Sequence, residues 1–343
     1  MTRSRQSRLA IVALIACLVT ALTAGTASAA TGSLTGAGST LIAPLETFWK
    51  EDFKSKYGNE VTYAAVGSGT GIKQIIARTV DFGASDAPLT ATQSSECNGC
   101  IQIPWALTAT GIAFHIEGVR KLNLTGPVLA NIYLGKITNW SAPAIAKLNK
   151  GTKLPNLAIT PAFRSDGSGD TYAFTDFLSR VSPTWRSQVG NATSVSFKAG
   201  VGGKGNDGVT AIVSSTNGAL GYISASYIIA HHLGAAALQN AAGNFEYPNL
   251  KNIEAAAKVV KKVPANNEMH IVNPPKSDKL AYPLSTFSYA ITPVKGGKGS
   301  LLASWVYYAL TAGQKFGAAL DFAPIPKVVL KAGEKSVKVL QKG

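Results

Sequence analysis

The sequence predicts an α/β protein, and three observations support that fold class. The chain has 343 residues, of which 46% are hydrophobic and 15% are charged, so it is long enough for about two domains and too apolar for a disordered protein. Between residues 33 and 89, apolar segments of strand length alternate with segments of helical periodicity. Turns rich in Gly, Ser and Thr separate these segments. Such alternation is typical of parallel strands flanked by helices.

The first 29 residues are predicted to be an export signal and not part of the fold. Three arginines among the first eight residues precede an apolar stretch at 9–22, and small residues at 27–29 form a cleavage pattern. The mature chain would then begin at Ala30. Alternatively, residues 14–17 form a lipobox and Cys17 carries a lipid, although the apolar residues after Cys17 favour cleavage near Ala30. We expect an exported protein, periplasmic or associated with the cell envelope.

The mature chain begins with a strand–turn–helix pattern that occurs twice. A strand at residues 33–35 leads through a Gly-rich turn into a helix at 44–57, and a strand at 61–66 leads through a second turn into a helix at 72–78. A third short strand follows at 81–86. Because ligands of parallel α/β sheets bind outside the carboxyl ends of the strands, these turns are expected to converge at one edge.

A second unit of the same kind is predicted further along the chain. Strands are expected at residues 112–116, 157–163, 219–224 and 285–291, and helices at 124–134, 171–179, from 208 to about 215, and at 299–311. Two further turns of small residues, at 164–170 and 200–208, follow the same pattern.

Three of these turns have the composition of an anion-binding site. They contain Ser39-Thr40, Ser68-Gly69 and Ser168-Gly169, each between a predicted strand and a predicted helix. Backbone N–H groups at a helix N-terminus carry partial positive charge, and the hydroxyls add neutral donors. Simple helix capping explains any one such turn, but it explains three in one chain less well.

Three charged residues sharpen this hypothesis. Arg164 can bind an oxyanion with two parallel hydrogen bonds, and Asp166 can hold Arg164 in place. Asp86, at the end of a strand, would repel an anion unless that anion carries a proton to donate. Phosphate at neutral pH does so, whereas sulfate would leave the carboxylate unpaired. The alternative for Asp86 is a capping or surface-turn residue.

Several other classes of site do not fit the sequence. Ser168 lacks the glycine two residues earlier that a nucleophile elbow requires, and the Gly-rich match at 200–205 lacks the acidic residue that a dinucleotide site places about twenty residues later. The formal net charge is +15, or +12 without the three arginines of the predicted signal. Because the lysines are scattered, with the densest group at 258–262, no nucleic-acid partner is predicted.

Cys97 and Cys100 are the cysteines that remain after the predicted cleavage. A Cys-x-x-Cys pair can be a redox site, half of a zinc site or a small disulfide. The four histidines show no ligand spacing, and no second cysteine pair exists, so no metal site is predicted. The surrounding Ser/Gly/Asn loop favours a structural disulfide over a redox site.

Five segments resemble the phosphate-binding proteins of Pst-type ABC transporters, the PstS family. They run in order along nearly the whole mature chain: residues 34–40, 74–77 with 81–89, 131–137, 164–169 and 202–208. The resemblance implies a two-lobe periplasmic-binding-protein-like fold of type II, with mixed sheets, flanking helices and a hinge. Lobe I would comprise residues 30–110 and 284–343, and lobe II residues 111–283.

The resemblance also implies a function and a ligand set. The protein would bind inorganic phosphate outside the cytoplasm and deliver it to the transmembrane subunits of an ABC permease, as a monomer without catalytic activity or cofactor. The phosphate ligands would be Thr40, the Leu41 N–H, Ser68, Asp86, Arg164, Ser168, Gly169 and the residue at position 170, with Asp166, Ser39 and Gly69 behind them.

The sequence departs from the family pattern at two of these positions. Leu41 replaces an aromatic residue, which matters little if the contact is the backbone N–H. Asp170 replaces a threonine, so a hydroxyl donor is lost. We expect the Asp170 carboxylate to turn away and cap the helix near 171–174; the alternative is that it accepts a second proton from the ligand.

Two other functions remain as alternatives. The same fold could bind another oxyanion, and arsenate shares the protonation that favours phosphate. A phosphate-ester hydrolase would need a metal cluster or an activated nucleophile, and the sequence offers neither. An adhesive role at the envelope is a further alternative that the sequence does not test.

Overall fold

The computed structural model describes residues 32–295 and 298–342, and the residues from Ser33 onward form one compact unit. The predicted signal peptide, the cleavage point at Ala30 and the alternative lipidation site at Cys17 lie outside the described residues. Among the described helices, none is both long enough and apolar enough to cross a bilayer.

Twelve strands are present in the described part of the chain: β1 (Ser33–Gly38), β2 (Glu60–Ala65), β3 (Phe82–Ser85), β4 (Cys100–His115), β5 (Asn123–Leu124), β6 (Thr160–Arg164), β7 (Val201–Gly203), β8 (Ala219–Ser224), β9 (Gly234–Ala235), β10 (Ala237–Gln239), β11 (Phe245–Glu246) and β12 (Ser285–Pro293). Strands β5, β10 and β11 form a small separate sheet.

The described α-helices are α1 (Ala43–Tyr57), α2 (Ser68–Ile76), α3 (Ala91–Glu96), α4 (Gly126–Tyr133), α5 (Pro143–Ala146), α6 (Gly169–Val181), α7 (Pro183–Gln188), α8 (Gly205–Ser215), α9 (Ala225–Ala230), α10 (Leu250–Ala257), α11 (Gly299–Leu310) and α12 (Lys327–Leu340). Two short 3₁₀ segments, Ala312–Phe316 and Ala318–Leu320, join α11 to the segment before α12.

The main sheet has mixed strand directions and two halves that share one long strand. Its order is β2-β1-β3-β12-β4-β8-β6-β7, and β9 also pairs with β4. Strands β1, β2 and β3 are mutually parallel, as are β6, β7 and β8, whereas β12 and β4 run antiparallel to their neighbours. Residues 100–109 of β4 pair with β12, and residues 110–115 pair with β8. We call the β12 side the first half and the β8 side the second half.

Each half has its own aromatic core. In the first half, the Trp49, Trp105 and Trp305 rings lie within 6.5 Å of one another, centroid to centroid. In the second half, the rings of Phe174 and Tyr222 stack with their centroids 4.4 Å apart. Large aromatic side chains that are buried in this way contribute strongly to stability. Each half therefore provides a rigid support for the turns at its edge.

The structure confirms the predicted α/β class and most of the predicted elements, and it adds short elements that were not predicted, among them α3, α7, α10 and the small separate sheet. Strand β4 begins at Cys100 and not at residue 112, because Pro104, which in the sequence argues against a strand, lies at an irregularity of the pairing with β12. Helix α12 was not predicted, and the sequence analysis assigned no element after residue 311. The predicted disulfide between Cys97 and Cys100 is confirmed; it lies where α3 turns into β4.

Candidate functional site

The turns after β1, β2 and β3 meet at one edge of the first half because these strands are parallel and adjacent. The Ser39 hydroxyl donates a hydrogen bond to Asp86 Oδ2. The Ser68 hydroxyl donates to the same oxygen at 3.4 Å and accepts from the Asp86 N–H at 3.3 Å. Residues up to 47 positions apart in the chain thus share one buried cluster, as predicted from the strand pattern.

The second half contributes the turn between β6 and α6. Ser168 is the N-cap of α6, and its hydroxyl accepts from the Thr171 N–H at 3.3 Å. The Gly169 N–H, one of the free donors of the first turn, reaches across to the Ser68 hydroxyl at 3.1 Å. A Cβ atom at position 169 would lie 2.5 Å from Asp86 Cβ, so glycine is required for this approach.

Arg164 is the one positive charge of the cluster, and it is held on two sides. Its Nε and Nη2 donate to the two oxygens of Asp166, at 2.8 and 2.6 Å, which is the predicted pairing. Its Nη1 donates to Asp170 Oδ2 at 2.9 Å. Both the Arg164 and the Asp170 side chains are almost completely removed from solvent. A planar guanidinium between two carboxylates is fixed in orientation.

The expectation that Asp170 caps α6 is wrong, because Ser168 already occupies the cap. The Asp170 carboxylate points into the cluster, where its Oδ1 accepts from the Thr110 hydroxyl at 2.7 Å and its Oδ2 accepts from Asn206 Nδ2 at 2.8 Å. Three hydrogen-bonding side chains, from β4, β6 and α8, therefore surround the position on α6 where the family resemblance predicts a threonine.

Contacts between the two halves surround the cluster. The Thr40 hydroxyl accepts from the Asn206 backbone N–H at 3.1 Å and from Asn206 Nδ2 at 2.8 Å. The Gly69 N–H donates to the Gly167 carbonyl at 2.9 Å. The Leu41 N–H, predicted to bind the ligand, donates to the Ser39 hydroxyl at 3.0 Å. The hydrogen-bonding groups of the two halves therefore lie opposite one another and in direct contact at the cluster.

Burial controls the protonation of the two inner carboxyls. Removal from solvent, with a further contribution from the charge of Asp170, raises the pKa of Asp86 to about 7. Burial also raises the pKa of Asp170, although Arg164 opposes that shift. The pKa of Asp166 is lowered, because the Arg164 hydrogen bonds and charge outweigh its partial burial. One Asp86 oxygen, Oδ1, is buried without a hydrogen-bond partner among the described residues.

The structure brings together all the residues that the sequence predicted for the site, in one buried cluster: Ser39, Thr40, Leu41, Ser68, Gly69, Asp86, Arg164, Asp166, Ser168, Gly169 and Asp170. Their roles as phosphate ligands stay a prediction. Thr110 and Asn206 also belong to the cluster and were not predicted from the sequence. Asn206 begins a helix after a Gly-rich turn, which could have marked it, whereas Thr110 lies inside an apolar strand and gave no signal.

In the described part of the chain, no three His, Cys, Asp or Glu side chains are grouped in a way that could hold a metal ion. The cluster instead offers one guanidinium, several hydroxyl and N–H donors, and two carboxyls with raised pKa values. Such a set can hold a small oxyanion that carries its own protons.

Comparison with known proteins shows extensive similarity. The family model of the PBP superfamily domain matches residues 23–312. The phosphate-binding protein PstS of Xylella fastidiosa (strain Temecula1) is 35% identical over 303 residues, which cover 87% of this chain and 83% of that protein. The PstS protein of Pasteurella multocida is 36% identical over 304 residues, covering 87% and 88% of the two chains.

Solved structures agree on the fold. A phosphate-binding protein from Stenotrophomonas maltophilia superposes with a TM-score of 0.71 at 19% identity, covering 88% of this chain and 93% of that one. A high-affinity periplasmic phosphate-binding protein bound with phosphate at pH 8.5 gives a TM-score of 0.72 at 20% identity, covering 89% and 93%.

Proposed function

The chain belongs to the PstS phosphate-binding proteins of the PBP superfamily, and from that membership we propose that it binds inorganic phosphate at the buried cluster around Arg164 and delivers it to an ABC permease. It acts outside the cytoplasm, as a monomeric binding protein and not as an enzyme. The observation that carries the proposal is the convergence of Arg164, Asp86 and Asp170 with hydroxyl donors from both halves.

The charges in the cluster support a protonated anion as the ligand. With every group ionised, Arg164 faces three carboxylates, those of Asp86, Asp166 and Asp170. An added anion would be repelled by these charges unless it supplies protons, and the buried Asp86 Oδ1 has no hydrogen-bond donor among the described residues. The O–H groups of H₂PO₄⁻ can satisfy Asp86 and Asp170 together, while the hydroxyls and Arg164 bind the unprotonated oxygens.

Two lobes that close on the ligand remain part of this proposal. Strand β4 exchanges its partner β12 for β8 between residues 109 and 110, and the Thr110 N–H bonds the Leu284 carbonyl at 3.0 Å. The chain thus passes from one half to the other near residue 110 and returns near residue 284. These two crossings support the predicted boundaries of lobe I (30–110 and 284–343) and lobe II (111–283). Phosphate would replace contacts such as Gly169 to Ser68 with bonds to both lobes, and a permease could then recognise the closed form.

Calorimetric titration of the protein, freed of co-purified ligand, tests the proposal. At pH 7 we expect one phosphate to bind tightly and sulfate to give no response, because sulfate lacks the proton that Asp86 and Asp170 require. Arsenate, added third, establishes whether another protonated oxyanion competes. Absence of phosphate binding, or equal binding of sulfate, would contradict the proposed site.

Phosphate affinity is expected to decrease as pH rises above the second phosphate pKa. The ligand then carries one proton and the site must take up another from solvent, so affinity falls by up to about tenfold per pH unit for each proton taken up. Asp170→Thr removes one acceptor and restores a hydroxyl, and this variant should bind phosphate at pH 8.5 more tightly than the native protein does.

Titrations at several pH values between 6 and 8.5 measure this difference. Asp176→Thr is the matched control, since Asp176 lies on the same helix but pairs with the exposed Arg180 at 2.9 Å. The control should keep the native pH profile. A flat or rising native profile, or an unchanged profile in Asp170→Thr, would show that Asp170 accepts no proton from the ligand.

A further inference from the structure

Helix α12 carries a stripe of lysines along its exposed face. Counting 100° per residue, Lys327, Lys331, Lys335 and Lys338 all project within about 80° of one another, over a length of about 16 Å, and Lys342 follows just beyond the end of the helix. All five are exposed. The opposite side of the helix is buried through Val329, Val337 and Leu340.

A second group of lysines adjoins this stripe. Lys258, Lys261 and Lys262 are exposed in the segment after α10. Lys258 and Lys327 line one surface groove of about 360 Å³, and Lys335 lines a neighbouring one beside Val263 and Pro264. The segment 258–264 therefore lies alongside α12, and the two groups form one continuous surface, which we call the lysine face.

The lysine face is not neutralised by the protein itself. Among the ion pairs of the described residues, none involves any of its eight lysines. Glu254 and Glu334 are the acidic residues on α10 and α12 next to them. The face therefore keeps a large positive excess, whose field extends about 8 Å from the surface at physiological salt before it is largely screened.

We propose that the lysine face docks the protein on an anionic phospholipid bilayer. Lysine is a hydrated point charge on a flexible stem, whereas binding of an individual phosphate or carboxylate group in a defined geometry favours the arginine fork, and the face contains no arginine. A row of lysines on an amphipathic helix matches a fluid surface of negative headgroups. This inference does not depend on the proposed phosphate site.

Vesicle sedimentation tests the proposal with the protein lacking residues 1–29, which keeps every residue of the compact unit from Ser33 onward. Phosphatidylcholine vesicles containing about one third phosphatidylglycerol should bind it at low salt, and pure phosphatidylcholine vesicles should not. The variant Lys331→Gln/Lys335→Gln/Lys338→Gln should bind at least about tenfold more weakly.

The matched control is Lys136→Gln/Lys147→Gln/Lys198→Gln, which makes the same change in net charge at exposed lysines outside the lysine face. It should bind vesicles like the native protein, and both triple variants should keep the native melting temperature. Equal weakening in the two variants would mean that net charge alone acts, and this would overturn the proposal. Binding of soluble polyphosphate without vesicle binding would overturn it in favour of a polyanionic polymer.

Discussion

Arg164→Lys is expected to weaken phosphate binding by at least about 100-fold while the chain stays folded. The guanidinium makes three charge-assisted hydrogen bonds, two to Asp166 and one to Asp170, and its planar fork determines where a bound anion can lie. A lysine ammonium keeps the positive charge but cannot keep the fork. A guanidinium has five N–H groups, so two remain to donate to the anion. Each charge-assisted hydrogen bond is worth about 1.5–3 kcal/mol, so losing these two accounts for the expected loss of affinity.

Calorimetry with phosphate measures this effect, and thermal unfolding checks the fold. Arg180→Lys is the control, because Arg180 is an exposed arginine on α6 that pairs with Asp176 outside the cluster. The control should bind phosphate as the native protein does. Native affinity in Arg164→Lys would show that the anion does not depend on this guanidinium, and the proposed site would then be wrong.

Glu46→Met is expected to stabilise the protein more strongly as pH rises. Glu46 lies in the first turn of α1 and is only 1% exposed, and neither of its carboxyl oxygens has a hydrogen-bond partner among the described residues. Burial raises its pKa from 4.5 to about 8, against the opposing charge of Lys50. The neutral form is therefore the one that the folded state accommodates.

The sign of the effect follows from proton linkage. Between pH 4.5 and about 8 the folded protein holds the Glu46 proton and the unfolded chain has released it, so the free energy of unfolding falls as pH rises through this window. The difference between the pKa of Glu46 in the folded and the unfolded chain corresponds to about 3–5 kcal/mol of unfolding free energy in total. Methionine has a similar volume and no charge, so the unfolding free energy of the Glu46→Met variant does not fall with pH for this reason.

Denaturant unfolding at pH 5 and pH 8 tests the prediction. The quantity to compare is the difference in unfolding free energy between Glu46→Met and the native protein, which should be larger at pH 8. Glu51→Met is the control, because Glu51 lies on the same helix but is exposed. Its effect should be small and the same at both pH values. An advantage of Glu46→Met that does not grow with pH would mean that Glu46 finds a charged or hydrogen-bonding partner in solution.

The parts of the fold that the sequence determined are those that short-range patterns encode. Helix α1 was predicted to within one residue, and the bounds of β8 were predicted correctly, because each has a clear periodicity. The pairing of Arg164 with Asp166 was also predictable, since they are two positions apart on one turn. Parallel strands with small-residue turns predicted the edge at which the site forms.

Only the tertiary structure decided where Asp170 points. By local rules an acidic residue in the first turn of a helix interacts with the helix N-terminus. Here Ser168 takes the cap, and Arg164, Thr110 and Asn206 offer the carboxylate three partners, two of them 36 and 60 residues away in the chain. The direction of a polar side chain depends on which donors the fold assembles around it, and a pattern along the chain does not contain that information.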